Sequence, residues 1–491
     1  MLTYVRFHLV GTIVPLVAML SAPLSSPLCS IWGRRRTMMS MTIPMTAGWL
    51  IITVASNASM ILVGRAIVSA VSAISVPAAY SYVAEIASSG SRGFLGSLLS
   101  VGWTFGLVMS YSLGAVLDWS HLALAACTVP VTQFIVLLAS EDSPRWLVSR
   151  HRLDDAKKAL AFFRGCSSNN MSKHMECELK DMEHQLQRAG QANLGARLKM
   201  MVGSRGVRKA VIICLMCFFF TVATGFSIVN YHAKLLLVQA RVTDTMDANV
   251  GTILIGICQM VGNLCGAFVV DKIGRKTLLY ISSAFLSVAQ AGLGTYFYFE
   301  LMAEAEELTS LSLDNYRWAP LVLLLVFVTF LPLGWGSVTY ILVSEIVPTS
   351  VRTETAILCN SFEQLLQFAV LQLHAAICGR YGPQYLHWGF ATTSVLGGIF
   401  VLLFVPETSG KTLEEIEVFF THLRREALDM IGDRAACREP TKQPFFIVEK
   451  SESGKRSKKS MIKEEEAANN NAKVTSAASK GEQQCSTCSR L

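Results

Sequence analysis

The sequence predicts an all-α membrane protein built as two helical bundles joined by a basic central loop. Three observations carry that prediction. The first is composition: of 491 residues, 52% are hydrophobic and only 16% charged, with a mean hydropathy of +0.43, whereas a soluble globular chain carries about 25% charged residues. The second is the recurrence of apolar runs of roughly 20 residues, the length at which a helix crosses about 30 Å of hydrocarbon. A chain in lipid must satisfy its own backbone hydrogen bonds, and runs this continuous favour helices over the alternating strands of a barrel. The third is an internal duplication. Glu85 leaves one apolar run and Arg92 follows seven residues later; Glu345 and Arg352 repeat the arrangement in the second half. A basic glycine loop precedes each, Gly33-Arg34-Arg35-Arg36 in the first half and Asp271-Lys272-Ile273-Gly274-Arg275-Lys276 in the second. Two matched halves in an apolar chain point to a repeat-built membrane protein.

Taken in order, the spans are expected at about 9–31, 38–56, 60–84, 93–117 and 121–139, then 210–237, 248–270, 277–299, 318–344, 353–379 and 385–405. That makes eleven, five before the central loop and six after it. The corresponding domains are an N-terminal bundle (1–139), a central loop (140–209), a C-terminal bundle (210–405), a helical region (406–440) and a polar tail (441–491). Lysine and arginine set the orientation. Every second loop is basic, and residues 145–209 alone hold 14 Lys+Arg against 6 Asp+Glu. These loops and the C-terminus are assigned to the cytoplasm, which with eleven spans places the N-terminus outside.

Periodic stretches at Leu153–Phe163 and Met175–Gln187 read as short amphipathic helices on the cytoplasmic face. The thirteen cysteines are scattered and mostly within spans, so small buried apolar residues are expected rather than a disulfide framework. Cys485 and Cys488 have CxxC spacing in a tail whose composition cannot bury a core, and a metal or redox role is not expected there. The basic cluster Lys455, Arg456, Lys458 and Lys459 reads as a solvated charge run, with anionic lipid as the alternative. Asn57-Ala58-Ser59 is a glycosylation sequon in a tight loop and is expected to be unused. No cleavable signal peptide is expected.

The motifs together resemble the sugar porter family of the major facilitator superfamily, with the character of its facilitated trehalose and glucose carriers. The resemblance covers about residues 10–420. It rests on Gly33-Arg34-Arg35, Gly64-Arg65, Glu85 with Arg92, Asp142-Ser143-Pro144-Arg145-Trp146-Leu147, Asp271 with Gly274-Arg275-Lys276, Glu345 with Arg352, and Pro406-Glu407-Thr408-Ser409-Gly410-Lys411. It implies a major facilitator fold of two bundles, twelve spans in the family against eleven here. It also implies transport by alternating access, with a polyhydroxyl solute and the bilayer as partners, and no cofactor, metal, nucleic acid or covalent chemistry. Acids and arginines at the cytoplasmic helix ends would pair across neighbouring helices and hold the inner side closed. The residues assigned to that relay are Gly33, Arg34, Arg35, Glu85, Arg92 and Arg145 in the first half, and Asp271, Gly274, Arg275, Glu345, Arg352 and Glu407 in the second.

The substrate positions depart from the family pattern. Where the seventh family helix carries two glutamines, this chain has Thr221 and Val222; the asparagine that follows is Ser227, while Gly225 and Tyr231 match. The fifth-helix glutamine is Ser100 and the eighth-helix asparagine is Gln259. The tenth helix reads Gly336-Ser337-Val338-Thr339-Tyr340, so both prolines of the family motif are gone and much of its unwinding is expected to be lost. Glu363-Gln364 replace Asn-Trp in the eleventh. The candidate substrate residues are therefore Ser100, Thr221, Ser227, Tyr231, Gln259, Tyr340, Glu363 and Gln364. Glu363 stands out because an ionisable group inside a span is costly and marks a functional site by default. Asn360, Gln364 and Gln367 make its surroundings polar.

Two further departures matter. Ser30 stands where the family's first loop has an acid, so the first-half relay is expected to be the weaker one. The motif alignment also puts the first span here on the family's second helix, so the family's first helix is expected to be missing. Facilitative sugar transport is the leading reading. A non-transporting sugar receptor or inactive shortened paralogue, and a proton-coupled carrier using Glu363, are the alternatives.

Overall fold

A computed structural model describes residues 2–87, 92–166, 175, 178–180, 182–184, 194–242, 246–304, 316–348 and 351–408; the side chains of 2–10, 92–94, 97, 194, 196–198, 271 and 304 lie outside that description. The tail, with its CxxC pair and basic cluster, and the side chains of Arg92 and Asp271 are thus outside the described residues.

Helices occupy each of the eleven expected segments. The first is α1 (Leu2–Ser21) and α2 (Ser25–Trp32), joined by a 3₁₀ turn. Then come α3 (Arg34–Thr53), α4 (Ala58–Ile86) and α5 (Arg92–Gly114). The fifth segment is α6 (Trp119–Ala126) with α7 (Thr128–Leu138). Short helices α8 (Pro144–Ser149), α9 (Leu153–Arg164) and α10 (Leu194–Gly203) carry the central loop. The second half holds α11 (Arg205–Ala223), α12 (Phe226–Gln239), α13 (Ala248–Ile273) and α14 (Arg275–Glu304). It closes with α15 (Ala319–Leu331), α16 (Val338–Ile346), α17 (Arg352–Arg380) and α18 (Pro383–Phe404). Among the described residues, eight stretches are long and apolar enough to cross a membrane. The segments in α3 and α17 fall outside that set, and that in α5 narrows to the shorter apolar helix Leu98–Gly114. The sequence of α3 opens on three arginines, and α17 carries Glu354, Glu363 and several amides.

Local chemistry explains the helix ends. Asn57 is the N-cap of α4: its side chain accepts from the Met60 N–H at 3.0 Å. The sequon asparagine is thus used as a helix cap. Ser143 caps α8 with Pro144 behind it, the preferred order at a helix start. In α9, Asp154 and Asp155 sit in the first turn, Arg164 in the last, and Gly165 follows at φ 68°, each placed to suit the helix dipole or the left-handed cap. The second central-loop stretch is helical at 178–180 and 182–184, and Glu178 pairs with Arg164 at 2.6 Å.

Between helices in lipid there is no hydrophobic gain to collect, so close fit holds them together. Gly48 on α3 and Gly64 on α4 supply that fit. A Cβ on Gly64 would stand 2.8 Å from the Gly48 carbonyl, and one on Gly48 would stand 3.1 Å from the Gly64 carbonyl. The larger apolar core lies in the second half, around Phe218, Leu279, Leu286, Phe327 and Trp335. The first half has a smaller one around Met38, Ala78, Tyr82 and Leu137. The halves meet where α1 lies against α17 and α5 against α13. There the Tyr111 hydroxyl donates to the Asn230 carbonyl at 3.3 Å.

Two spans of the second half are broken in mid-course. The chain turns between α11 and α12 at Gly225, whose φ of +90° suits glycine. The break between α15 and α16 is a π-helical turn at Pro332–Gly336. It corrects the expectation from the lost prolines: the span is still interrupted, by Pro332 and two glycines a few residues earlier than the family motif places it.

Candidate functional site

The first break follows Thr221 on α11, the second precedes Thr339 and Tyr340 on α16, and Thr221 meets Thr339 between them. α11 ends at Thr221–Ala223 and faces α16 through Thr339. The Thr221 hydroxyl donates to the Cys217 carbonyl at 2.9 Å and lies 3.2 Å from the Thr339 hydroxyl. Both threonines are buried. Thr221 was expected to face solute; its hydroxyl is instead committed between helices. Val222 is fully buried.

One residue beyond Thr339, Tyr340 turns the other way. It lies inside a spanning helix yet is 52% exposed. Its ring packs edge-on against Phe218 at 5.0 Å, and its hydroxyl donates to Glu363 Oε2 at 2.6 Å. Glu363 on α17 is 5% exposed, and its Oε1 accepts from Gln367 Nε2 at 3.2 Å. Gln364 beside it is half-buried. Tyr231 on α12 is half-buried within the electrostatic reach of both Glu363 and Arg65. Ser227 and Gln259 are buried, and Ser227 Oγ and Gln259 Oε1 have no hydrogen-bond partner. A buried polar atom without a partner is costly, so these are groups that a hydroxyl-rich solute could satisfy once helix movement uncovers them, being closed off in this conformation.

The first half supplies the facing side. Ser100 on α5 lies 3.3 Å from the hydroxyl of half-exposed Tyr80 on α4, and Tyr80 in turn acts electrostatically on Tyr340. The site thus gathers Ser100 and Tyr80 opposite Tyr340 and Glu363, with Arg65 and Tyr231 in the same electrostatic group. Sequence reasoning missed Tyr80 and Thr339 as members. Arg65 was visible only as part of a motif, although an arginine inside a span is itself a signal. A separate groove of about 440 Å³ between α11 and α17 is lined by Ile212, Leu215, Met216, Phe219 and Phe362. With no polar lining side chain it offers a polyhydroxyl solute nothing to bind.

The first break is propped from behind. Gln290 on α14 donates from Nε2 to the Thr224 carbonyl at 2.8 Å, and its Oε1 lies 2.7 Å from His387 Nδ1 on α18. Because the amide oxygen can only accept, Nδ1 carries the His387 proton. A Cβ on Gly225 would stand 2.6 Å from Phe390 Cδ2.

The charged helix ends form two networks, one in each half. In the first, Arg34 pairs with Glu85 at 2.8 Å, and Ser143 Oγ donates to the same carboxylate. Arg35 donates to the Leu137 carbonyl at 2.8 Å, and Asp142 sits 3.9 Å from Arg35 and 3.4 Å from Arg36. Asp142 is thus the acid that stands near Arg35 and Arg36, at longer range than the pairs of the second half. The Ser30 carbonyl is used instead, accepting from Trp146 Nε1 at 3.1 Å and Arg150 Nη2 at 2.8 Å. Gly33 (φ +87°) lies under Trp146, which a Cβ would approach to 3.0 Å. In the second half, Gly274 (φ +94°) takes the same backbone shape. There Glu407 accepts from the Arg275 and Lys276 N–H groups at 3.1 Å each, a carboxylate on a helix N-terminus. Arg275 Nη2 pairs with Glu345 Oε1 at 3.0 Å, and Thr408 donates to Glu345 Oε2 at 2.6 Å. Arg352 donates to the Val347 carbonyl. Arg145 is exposed beside Pro144. Each ion pair described here ties helices within one half.

Comparison with known proteins agrees with this architecture. The family described as Sugar (and other) transporter matches residues 3–420. The facilitated trehalose transporter Tret1 of Bombyx mori is 31% identical over 415 residues, 84% of this chain and 78% of that protein. Its counterpart in Apis mellifera ligustica is 31% identical over 411 residues, 83% and 78% of the respective lengths. Among solved structures, the inward open conformation of the xylose transporter XylE from E. coli aligns with a TM-score of 0.67 at 20% identity, covering 84% of this chain and 89% of that one. XylE has also been solved as a proton:xylose symporter of the major facilitator superfamily, where the TM-score is 0.66. At that identity the structural likeness speaks to fold, and the fold is the all-α major facilitator type. The sequence match speaks to lineage: this chain belongs to the family of sugar (and other) transporters.

Proposed function

We propose that the protein moves a sugar down its gradient by alternating access, with trehalose and glucose as the first substrates to test. The observation that carries this reading is the wall formed at two mid-membrane helix breaks. There Ser227 and Gln259 hold unused polar atoms, and Tyr340 offers a half-exposed aromatic face. Aromatic faces with a few placed polar groups are the usual lining of a small-molecule site. The names of the relatives in Bombyx and Apis support the substrate class. The basic loops support a cytoplasmic C-terminus, and the cell surface is the membrane proposed. The alternation would rock one bundle against the other about this site. The Gly33 and Gly274 networks would hold the helix ends of each bundle together while it moves. The test is uptake of labelled trehalose and glucose into proteoliposomes, with counterflow to show passive exchange. Saturable uptake of either without an imposed ion gradient supports the reading; surface-competent protein that exchanges neither overturns it.

A second reading, proton-coupled transport through Glu363, is favoured by one observation: a carboxyl buried inside a span with hydroxyl and amide donors. Uptake that is independent of pH and unchanged in Glu363→Gln would exclude it.

A further inference from the structure

We propose that Glu363 is a positioning residue that acts through Tyr340, fixing the phenol ring as the platform on which the transported sugar stacks. This rests on the sugar-carrier reading for the identity of the solute, though not for the positioning itself. The argument begins with exposure. Tyr340 is half exposed and Glu363 is buried, so a solute in the cavity meets the ring and not the carboxylate. Tyr80 of the other bundle lies within electrostatic reach of Tyr340.

An exposed aromatic side chain left to itself would swing about its two torsions. Here it is held at both ends. The ring edge sits against Phe218 at an interplanar angle of 88°, and the hydroxyl is bound to Glu363 at 2.6 Å. At that distance the phenol is held by a short hydrogen bond. The carboxylate in turn is steadied by Gln367 one helical turn on. Tyr340 is thus tied from α16 to α17, so the platform belongs to two helices rather than one.

The two residue types explain each other. A tryptophan at position 340 would need no partner at the phenol's reach, and an amide at 363 would not demand a donor. A phenol aimed at a buried site needs an acceptor, and the carboxyl oxygen of Glu363 supplies one. The phenol at 340 and the carboxyl at 363 therefore form one unit.

The test has two arms on the full chain in lipid. In the first, tyrosines are replaced by 3-fluorotyrosine and the ¹⁹F resonance of Tyr340 is assigned as the one absent from Tyr340→Phe. Glu363→Leu is expected to shift and narrow that resonance as the ring is freed, while Glu363→Gln, whose amide oxygen still accepts, leaves it near its original place. A Tyr340 signal unmoved by Glu363→Leu overturns the proposal whatever the protein transports. In the second arm, labelled trehalose and glucose uptake is measured. Glu363→Leu and Tyr340→Phe are each expected to raise KM about 3–10-fold, the worth of roughly one hydrogen bond, with maximal rate within twofold. The double variant should be no worse than either single one, and Glu363→Gln should return KM to within about threefold of the parent. Additive losses in the double variant mean separate roles and overturn the proposal. Should Glu363→Leu fail to fold, Glu363→Met, of similar length and with no carboxyl or amide oxygen, takes its place in both arms and in the double variant. A parent chain that transports neither sugar removes the sugar reading, and the fluorine arm still decides whether Glu363 positions Tyr340.

Discussion

Replacing Gly225 by alanine tests the break between α11 and α12 directly. Two costs arise at once. The residue sits at φ +90°, where an L side chain costs roughly 1–2 kcal/mol. The added methyl would also stand 2.6 Å from Phe390 Cδ2 and 3.0 Å from Gln290 Nε2. Gln290 cannot yield freely because it is bound to the Thr224 carbonyl and to His387. Overpacking of this kind costs typically about 1–3 kcal/mol. Together the two terms come to about 2–5 kcal/mol, which for a protein of this size is a fall of roughly 2–6 °C in apparent melting temperature. The assay is thermal unfolding followed by size-exclusion fluorescence, paired with sugar uptake, which should fall as well. The two costs separate in the double variant: Gly225→Ala with Phe390→Ala should regain the packing part and leave the backbone part. A Gly225→Ala protein with unchanged melting and uptake would refute both the strain argument and the place given to this break.

Three further outcomes follow from the same geometry. Glu345→Gln strips Arg275 and Thr408 of their shared carboxylate; a loss of about 1–3 kcal/mol is expected, read as a melting shift that shrinks in high salt. Asp142→Asn should cost less, about 0.5–1 kcal/mol, because its arginine contacts are longer at 3.4 and 3.9 Å; equal losses at the two sites would count against the distance argument. Ser227→Ala should raise KM about 3–10-fold with little effect on melting, since its hydroxyl has no partner in the protein. Thr221→Val should do the reverse, lowering melting more than it alters KM, since its hydroxyl is spent on Cys217 and Thr339.

These contrasts show where the sequence was readable. The helical segments were legible because lipid permits few alternatives to a continuous apolar helix. The matched glycines were legible as well, since Gly33 and Gly274 each stand before a basic helix start and both adopt positive φ. Which base meets which acid was not. Arg34 finds Glu85, and Arg275 finds Glu345, through folding that no local pattern encodes. The second break was not legible at positions 337 and 339, because Pro332 begins it several residues earlier. In the cavity, residue types were legible and directions were not. Thr221 looked like a substrate ligand from its chemistry alone, yet it turns towards α16. Tyr340 and Glu363 lie 23 residues apart across a loop, and only the fold shows that they touch.

The bond between Thr221 and Thr339 has a consequence for the history of this wall. Relative to the family pattern, a glutamine and a proline on different helices have both become threonine, and the two now share a hydrogen bond. Each substitution changes what the other position can tolerate. Restoring a glutamine at 221 alone would push a longer side chain into Thr339, and restoring a proline at 339 alone would leave Thr221 facing a ring that cannot bond to it. Residues 221 and 339 are therefore best exchanged as a set when a relative's specificity is grafted onto this chain.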